Sequence, residues 1–215
     1  MTLDLRSLFS SHSIPPRGVI HVGAHYGLEV GVYAGIGFTS GVFFEPQRLC
    51  FEQLQQRVSC FPGFHAIESA VGAYQGTATL YTETANKGES SSVLKPKLHL
   101  SQYPEIQFTG SVEVPMTTLS EYFKTHDSSN YNFLNMDVQG YELEVLKGGM
   151  AILHHLDAIY SEVNRAEMYE GCAFVEDIDS FLSPFGFIRK ETDWKGHDWG
   201  EALYVRLDRE ALQSR

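Results

Sequence analysis

The chain has 215 residues, 27 acidic against 16 basic side chains and a formal net charge of −11. That is length enough for one full core, and charge that repels the phosphates of nucleic acid, so small molecules, neutral glycans or proteins are expected as partners and a nucleic acid is not. Cys50, Cys60 and Cys172 are odd in number and lack C-x-x-C spacing, which argues for reduced thiols and a cytoplasmic location over a disulfide framework or zinc knuckle. No run of about 18 apolar residues occurs, and Met1–Arg6 lacks the basic-then-apolar pattern of a leader, so neither a membrane span nor a secretory signal is expected.

In chain order, residues 1–16 form an N-terminal capping segment: Asp4 to His12 suits a short helix, which Pro15-Pro16 ends. Val19, Ile20 and Val22 make a β-branched apolar run, followed by the turn Gly23-Ala24-His25-Tyr26-Gly27. Residues 27–38 are helical in pattern but carry Gly31, Gly35 and Gly37, each costing roughly 1 kcal/mol against alanine. Gly41 to Phe44 is a second strand that ends in Glu45-Pro46, and Gln47 to Val58 is an amphipathic helix. Phe64 to Val71 reads as one third strand, which Thr77 to Thr82 extends. Residues 84–111 are a polar insertion loop on the substrate side, a length more often functional than idle.

Val112 to Pro115 is a short strand, and Thr117 or Thr118 caps a helix running to Lys124. Asn132 to Asp137 is the fourth core strand, Gly140 to His154 one long helix, Leu156 to Glu162 the fifth strand and Phe174 to Pro184 a helix. Phe185 to Arg189 and Ala202 to Arg206 flank a loop holding both Trp194 and Trp199, as a terminal antiparallel hairpin. The tail after Leu207 is polar and expected to fray. Strand–helix alternation predicts an α/β domain spanning 1–215, with an open, mostly parallel sheet and helices on both faces. No internal repeat or linker divides it.

A strand feeding a helix through glycines presents backbone N–H groups at the carboxyl end of a sheet, where a nucleotide-like ligand approaches. Glu45 lies 22 positions past Gly23, where an acid accepts both hydroxyls of a ribose. The G-x-G-x-x-G and G-x-x-x-x-G-K-[ST] fingerprints are absent, so the half-pocket suits S-adenosylmethionine (SAM) better than a dinucleotide or a triphosphate. Its candidate cofactor residues are His21, Gly23, Ala24, Gly27, Glu45 and Pro46, with Ser69 and Ala70 at the end of the third strand and Asp137 at the end of the fourth.

Asn135-Met136-Asp137-Val138-Gln139-Gly140-Tyr141-Glu142, followed by Leu146-Lys147-Gly148-Gly149, resembles the DxxGxE … LxG signature of the FkbM family of SAM-dependent methyltransferases. The Gly23–Gly27 turn, Phe44-Glu45-Pro46, Ser90-Ser91-Ser92 and Ser161-Glu162-Val163-Asn164 look like that family too, over roughly residues 17–207. The family often has Asp where this chain has His21. The resemblance implies a class I, Rossmann-like fold with a seven-stranded sheet, and O-methyl transfer to hydroxyls of sugars, glycans or glycosylated natural products. Other small molecules, a protein or a nucleic acid, or a SAM-binding module without catalysis, are the alternatives. The [DNS]-P-P-[YF] box of base methylation is missing after the fourth strand.

Methyl transfer to an aliphatic hydroxyl needs the acceptor's proton removed during attack. Asp137 and Glu162 stand at the ends of adjacent strands, and His25 lies in the glycine turn, so these three are the catalytic candidates. Three readings stay open for Asp137: base or SAM orienter, helix cap, or one ligand of a Mg²⁺ held with Glu162 and Asn164. Asn164 follows Glu162 by two positions, on the same face of an extended chain. Ser90, Ser91, Ser92 and Asn164 are expected to touch the acceptor, with Trp194 and Trp199 as an aromatic platform against a sugar face.

Overall fold

A computed structural model describes residues 4–207. The first three residues and the polar tail after Leu207 lie outside the described residues.

Seven strands form the main sheet: β1 (Gly18–Val22), β2 (Ser40–Phe44), β3 (Phe64–Ile67), β7 (Phe133–Met136), β8 (Ala158–Asn164), β9 (Phe187–Lys195) and β10 (Trp199–Arg206). Their order is β3-β2-β1-β7-β8-β10-β9. The first five run parallel, and β10 pairs antiparallel with both β8 and β9. β1, β7 and β8 are buried along their whole length, so apolar residues stand on both of their faces and do not alternate strictly with polar ones.

Side-chain alternation splits the core into two layers. Ile20, Val22, Leu134 and Met136 face α5 (Leu119–Tyr122), α6 (Glu142–Gly148) and α7 (Val175–Leu182), through Leu119, Val145 and Ile178. Val19, Phe43 and Phe133 face α1 (Leu5–Ser11), α2 (Val30–Ile36) and α3 (Arg48–Val58), through Leu5, Tyr33 and Leu54. The fold is therefore the class I methyltransferase fold, with helices on both faces and a C-terminal antiparallel hairpin.

Several sequence expectations need correction. Phe64 to Val71 is not one strand. The chain turns at Ser69, whose N–H donates to the Ile67 carbonyl (3.0 Å), and β4 (Ala70–Val71) leaves for a second sheet. That sheet has the order β4-β6-β5, with β5 (Gly76–Glu83) antiparallel to β6 (Phe108–Thr117). β5 therefore does not extend the third strand, and the insertion loop ends earlier than residue 111. The insertion also carries a short helix, α4 (His99–Gln102).

The expected helix from Gly140 to His154 breaks at Gly148-Gly149 and continues as 3₁₀ turns over Met150–His155. At Gly148 the backbone runs so close to its neighbour that a Cβ would sit 1.9 Å from the Gly72 carbonyl oxygen. The terminal hairpin is longer than its apolar ends suggest, and both tryptophans lie within its strands and not in its loop. β9 is an edge strand whose middle, Glu191-Thr192-Asp193, is polar, so no apolar run marks it.

Candidate active site at the carboxyl ends of the parallel strands

The turn after β1 is wedged between its two neighbour strands. The Gly23 and Ala24 N–H groups both donate to the Phe44 carbonyl (3.0 Å each). Gly23 has φ +80°, and a Cβ there would lie 1.9 Å from the Asp137 carbonyl oxygen, so only glycine fits. Gly27 (φ +72°) serves packing: its Cβ would lie 2.6 Å from Leu54 Cδ1 on α3.

Glu45 ends β2 at 2% exposure. One of its oxygens accepts from the His25 N–H (2.8 Å) and the other from the Gln47 N–H (2.8 Å). Each carboxylate oxygen has two lone pairs, so each keeps one acceptor site. Burial pushes the Glu45 carboxyl up, and the two backbone N–H bonds oppose that rise. His21 is a buried histidine between Tyr33 Oη, 3.3 Å from Nδ1, and Asn135 Nδ2, 3.3 Å from Nε2. Burial lowers its pKa to about 4, so it is neutral at ordinary pH.

An acid cluster stands beside this turn. Gln139 donates through Nε2 to Asp137 Oδ1 (2.7 Å) and to Glu162 Oε2 (2.8 Å), and its Oε1 accepts from the Tyr169 hydroxyl (2.8 Å). Glu142 Oε1 accepts from the Val138 and Gly140 N–H groups (3.0 and 3.2 Å). The loop ahead of α6 is thus held by Glu142, and Asp137 makes no bond to the start of that helix. The cap reading of Asp137 does not hold.

Burial raises all three acids. Glu162 lies well above the usual carboxylate range, through burial first and then the Asp137 and Glu142 charges. Glu142 is pushed up to about 7, chiefly by burial. Asp137 rises too, from burial, with the Gln139 bond opposing. Its side chain is exposed to the open cavity, where water reaches it, and its rise is the smaller. Of the pair, Glu162 holds a proton more readily and Asp137 more readily ionises.

The glycine turn, Asp137 and Glu162 open into one cavity of about 520 Å³, inside the range of small-molecule sites. Every sequence-stated candidate except Gly27 and Trp194 lines it. The serine loop does so with the Ser91 and Ser92 hydroxyls already engaged. Ser92 Oγ donates to the Gln139 carbonyl (2.8 Å) and accepts from the Leu94 N–H (3.0 Å), while Ser91 Oγ accepts from the Glu83 N–H (3.4 Å). Ser90 offers its carbonyl to the Tyr169 hydroxyl (2.9 Å). The preceding residues dock on the glycine turn: His25 Nε2 lies 3.0 Å from the Lys87 carbonyl, and Gln47 Nε2 donates to the Gly88 carbonyl (3.0 Å).

The tryptophans part company. Gly200 pairs with Trp194, so Trp199, one residue away, points to the opposite face of the hairpin. Trp194 packs on the α5–α7 side of the core beneath the Arg165 guanidinium, 3.4 Å from its ring centroid. Trp199 lines the cavity, and its Nε1 donates to the Tyr103 hydroxyl (2.8 Å).

Sequence reasoning missed Gln139, His99, Tyr103 and Tyr169 as cavity residues. Gln139 lay inside the signature that was read; the others carry no motif. Two polar groups in the wall lack partners: His99 Nδ1, and both amide atoms of Asn164, which is 1% exposed. An unpaired buried polar group costs about 1–3 kcal/mol.

The donor set does not fit the expected Mg²⁺. The Gln139 amide points its N–H groups at the Asp137 and Glu162 oxygens that a cation would need, and Asn164 bonds to neither acid. Among the described residues no group of three or more His, Cys, Asp or Glu side chains could hold a metal ion. Among them, too, no helix is long and apolar enough to cross a membrane.

Known methyltransferases share this fold. The chain is 24% identical over 189 residues to the 2-O-methyltransferase NoeI of Sinorhizobium fredii, covering 85% of this chain and 78% of that protein. Its fold matches magnesium protoporphyrin IX methyltransferase (ChlM) of Synechocystis with SAM bound, at TM-score 0.52 and 11% identity over 94% of this chain and 76% of that one. It also matches TrmK of M. capricolum in complex with S-adenosyl-homocysteine, at TM-score 0.52 and 9% identity over 99% and 75%. The model of the methyltransferase FkbM domain matches residues 21–189. The chain belongs to the FkbM family and is a methyltransferase.

Proposed function

We propose that the protein is a SAM-dependent O-methyltransferase whose acceptor is a hydroxyl of a sugar, glycan or glycosylated natural product. The observation that carries this reading is one continuous cavity lined both by Glu45, after β2, and by the Asp137–Glu162 pair, two and three strands along the sheet. The residues present fit SAM: Glu45 keeps an acceptor site on each oxygen for the ribose hydroxyls, with Gly23, Ala24 and Pro46 as the neighbouring wall. Ser69 and Ala70 line the same cavity. When bound, SAM supplies a methyl group on a sulfonium, an electrophile that needs little activation.

Asp137 takes the proton of the attacking hydroxyl. Glu162 keeps its own proton and steadies the Asp137 carboxylate, while Gln139 fixes the spacing of the two acids. His25, with Nε2 at the Lys87 carbonyl, holds the serine-loop segment against the glycine turn. Trp199 offers the aromatic wall for the sugar's C–H face. The similarity to a 2-O-methyltransferase supports oxygen as the methylated atom, and the net charge of −11 favours a neutral acceptor over a polyanion.

The test is transfer of labelled methyl from SAM to a panel of glycans, nucleotide sugars, proteins and RNA. Label on a glycan or sugar hydroxyl is the expected result. Label only on protein or RNA would overturn the acceptor class.

A further inference from the structure

Beyond the reacting hydroxyl, the cavity wall built on β8 and the segment that follows it holds polar atoms without a partner among the described residues. Asn164 is fully enclosed, yet neither its amide oxygen nor its amide nitrogen has a partner. It follows Glu162 by two positions on β8. His99 is 5% exposed, with its Nδ1 equally unpaired. Backbone bonds fix it there: the Lys97 and His99 N–H groups both donate to the Met168 carbonyl (2.9 and 3.2 Å). Aromatic rings surround it, with Tyr103 at 5.0 Å and Tyr169 at 5.5 Å between centroids. Tyr169 in turn bonds Gln139, which bridges the two acids. The imidazole is thus tied to the reacting carboxylates through one ring and one amide.

We propose that His99 and Asn164 are specificity residues that hydrogen-bond a second hydroxyl of the acceptor, one that is not methylated, so that the enzyme takes polyhydroxylated rings and rejects their deoxy analogues. The inference rests on the methyl-transfer reading above. An amide offers both a donor and an acceptor, and a neutral imidazole nitrogen offers one or the other, which is what a hydroxyl needs. Groups of this kind, buried without partners, are matched by a ligand that supplies them. A site built to bond a hydroxyl rejects the analogue lacking it far more strongly than an apolar pocket rejects an extra group. The aromatic rings around His99 and Trp199 cover the apolar face of such a ring.

The test uses two readouts. The first needs no acceptor: the thermal midpoint of the unligated protein with Asn164→Leu, of similar shape, and with His99→Phe. If the polar atoms await a ligand, both variants melt at or above the wild-type temperature. If they are structural, both melt lower. The second is labelled transfer from SAM to methyl glycopyranosides and their monodeoxy analogues. Wild type is expected to prefer one hydroxylated ring over its deoxy analogue by at least tenfold in kcat/KM. Each variant loses that preference by raising KM for the full ring, while affinity for S-adenosyl-homocysteine stays within about twofold. Lowered midpoints with unchanged acceptor preference overturn the inference. Failure of wild type to bind S-adenosyl-homocysteine, or to methylate any sugar, instead overturns the functional reading on which it rests.

Discussion

The two ends of the cavity are built on different terms. At the glycine-turn end, the acid after β2 is already bonded: Glu45 accepts from the His25 N–H in the turn after β1 and from the Gln47 N–H two residues on. At the opposite end, His99, Asn164 and Trp199 come from three distant segments, and two of the three hold unpaired polar atoms. On the proposed reading, the first end is preorganised for a ligand whose shape does not vary, and the second leaves its hydrogen bonds for the acceptor. On the proposed reading, acceptor preference can change in that wall without disturbing the turn.

Asp137 stands at the seam of the two ends, and its substitution breaks the scheme most directly. Asp137→Asn is expected to cut the methyl-transfer rate by at least ~10²-fold while moving the thermal midpoint by only a few degrees. Steady-state kinetics beside a melting curve checks both, and a fully active variant removes Asp137 from the chemistry.

Glu45→Ala tests the preorganised end alone. A charged hydrogen bond is worth about 1.5–3 kcal/mol, so affinity for S-adenosyl-homocysteine should fall about ten- to a hundredfold, as read by calorimetry. Acceptor KM should move much less. Equal losses on both sides would mean that the two ends are not separable.

The raised acids give a stability signature with a definite sign. Glu142 titrates near 7 when folded, against an ordinary value of 4.5. A carboxyl raised in the native state binds its proton more tightly there than in the unfolded chain. Its stabilisation is therefore full below about pH 4.5 and is lost as pH rises through 7. Glu162 and Asp137 shift in the same direction. The thermal midpoint should fall across that window, and Glu142→Gln, which keeps an oxygen for the Val138 and Gly140 N–H groups, should flatten the slope. A midpoint that rises with pH over this window would contradict the burial of these acids.

The smallest expected effect separates the tryptophans. Trp199→Ala should raise acceptor KM several-fold and leave S-adenosyl-homocysteine affinity alone. Trp194→Ala, on the far face of the hairpin, should leave KM unchanged and lower stability by about 1–3 kcal/mol through lost packing. Reversed results would mean that the platform is on the other face.

Much of the preorganised end was legible in the sequence because its determinants are local. A β-branched run, two glycines and an acid 22 positions later specify a strand, a turn that no Cβ could enter, and a strand end. Asp137 and Glu162 were readable for the same reason, as acids at the carboxyl ends of two buried strands, although β8 runs on past Glu162 to Asn164. The far wall was not legible. His99 sits in a polar stretch with no period, and nothing near it in sequence announces that its helix docks on the Met168 carbonyl.

What the sequence determined by itself was the kind and order of the core elements, since continuous apolar runs and glycine turns act within a few residues. Tertiary structure alone decided the rest. Ser69 and the long pairing of β5 with β6 sent β4 to a second sheet, and the close approach of Gly72 broke the helix at Gly148. Strand register set the two tryptophans on opposite faces, because a side chain's face alternates with every residue and is fixed only by the partner opposite it. Gln139 lies in the most recognisable run of the chain, yet its place between two carboxylates depends on β7 lying beside β8. No local pattern encodes that adjacency, because it is a property of the assembled sheet.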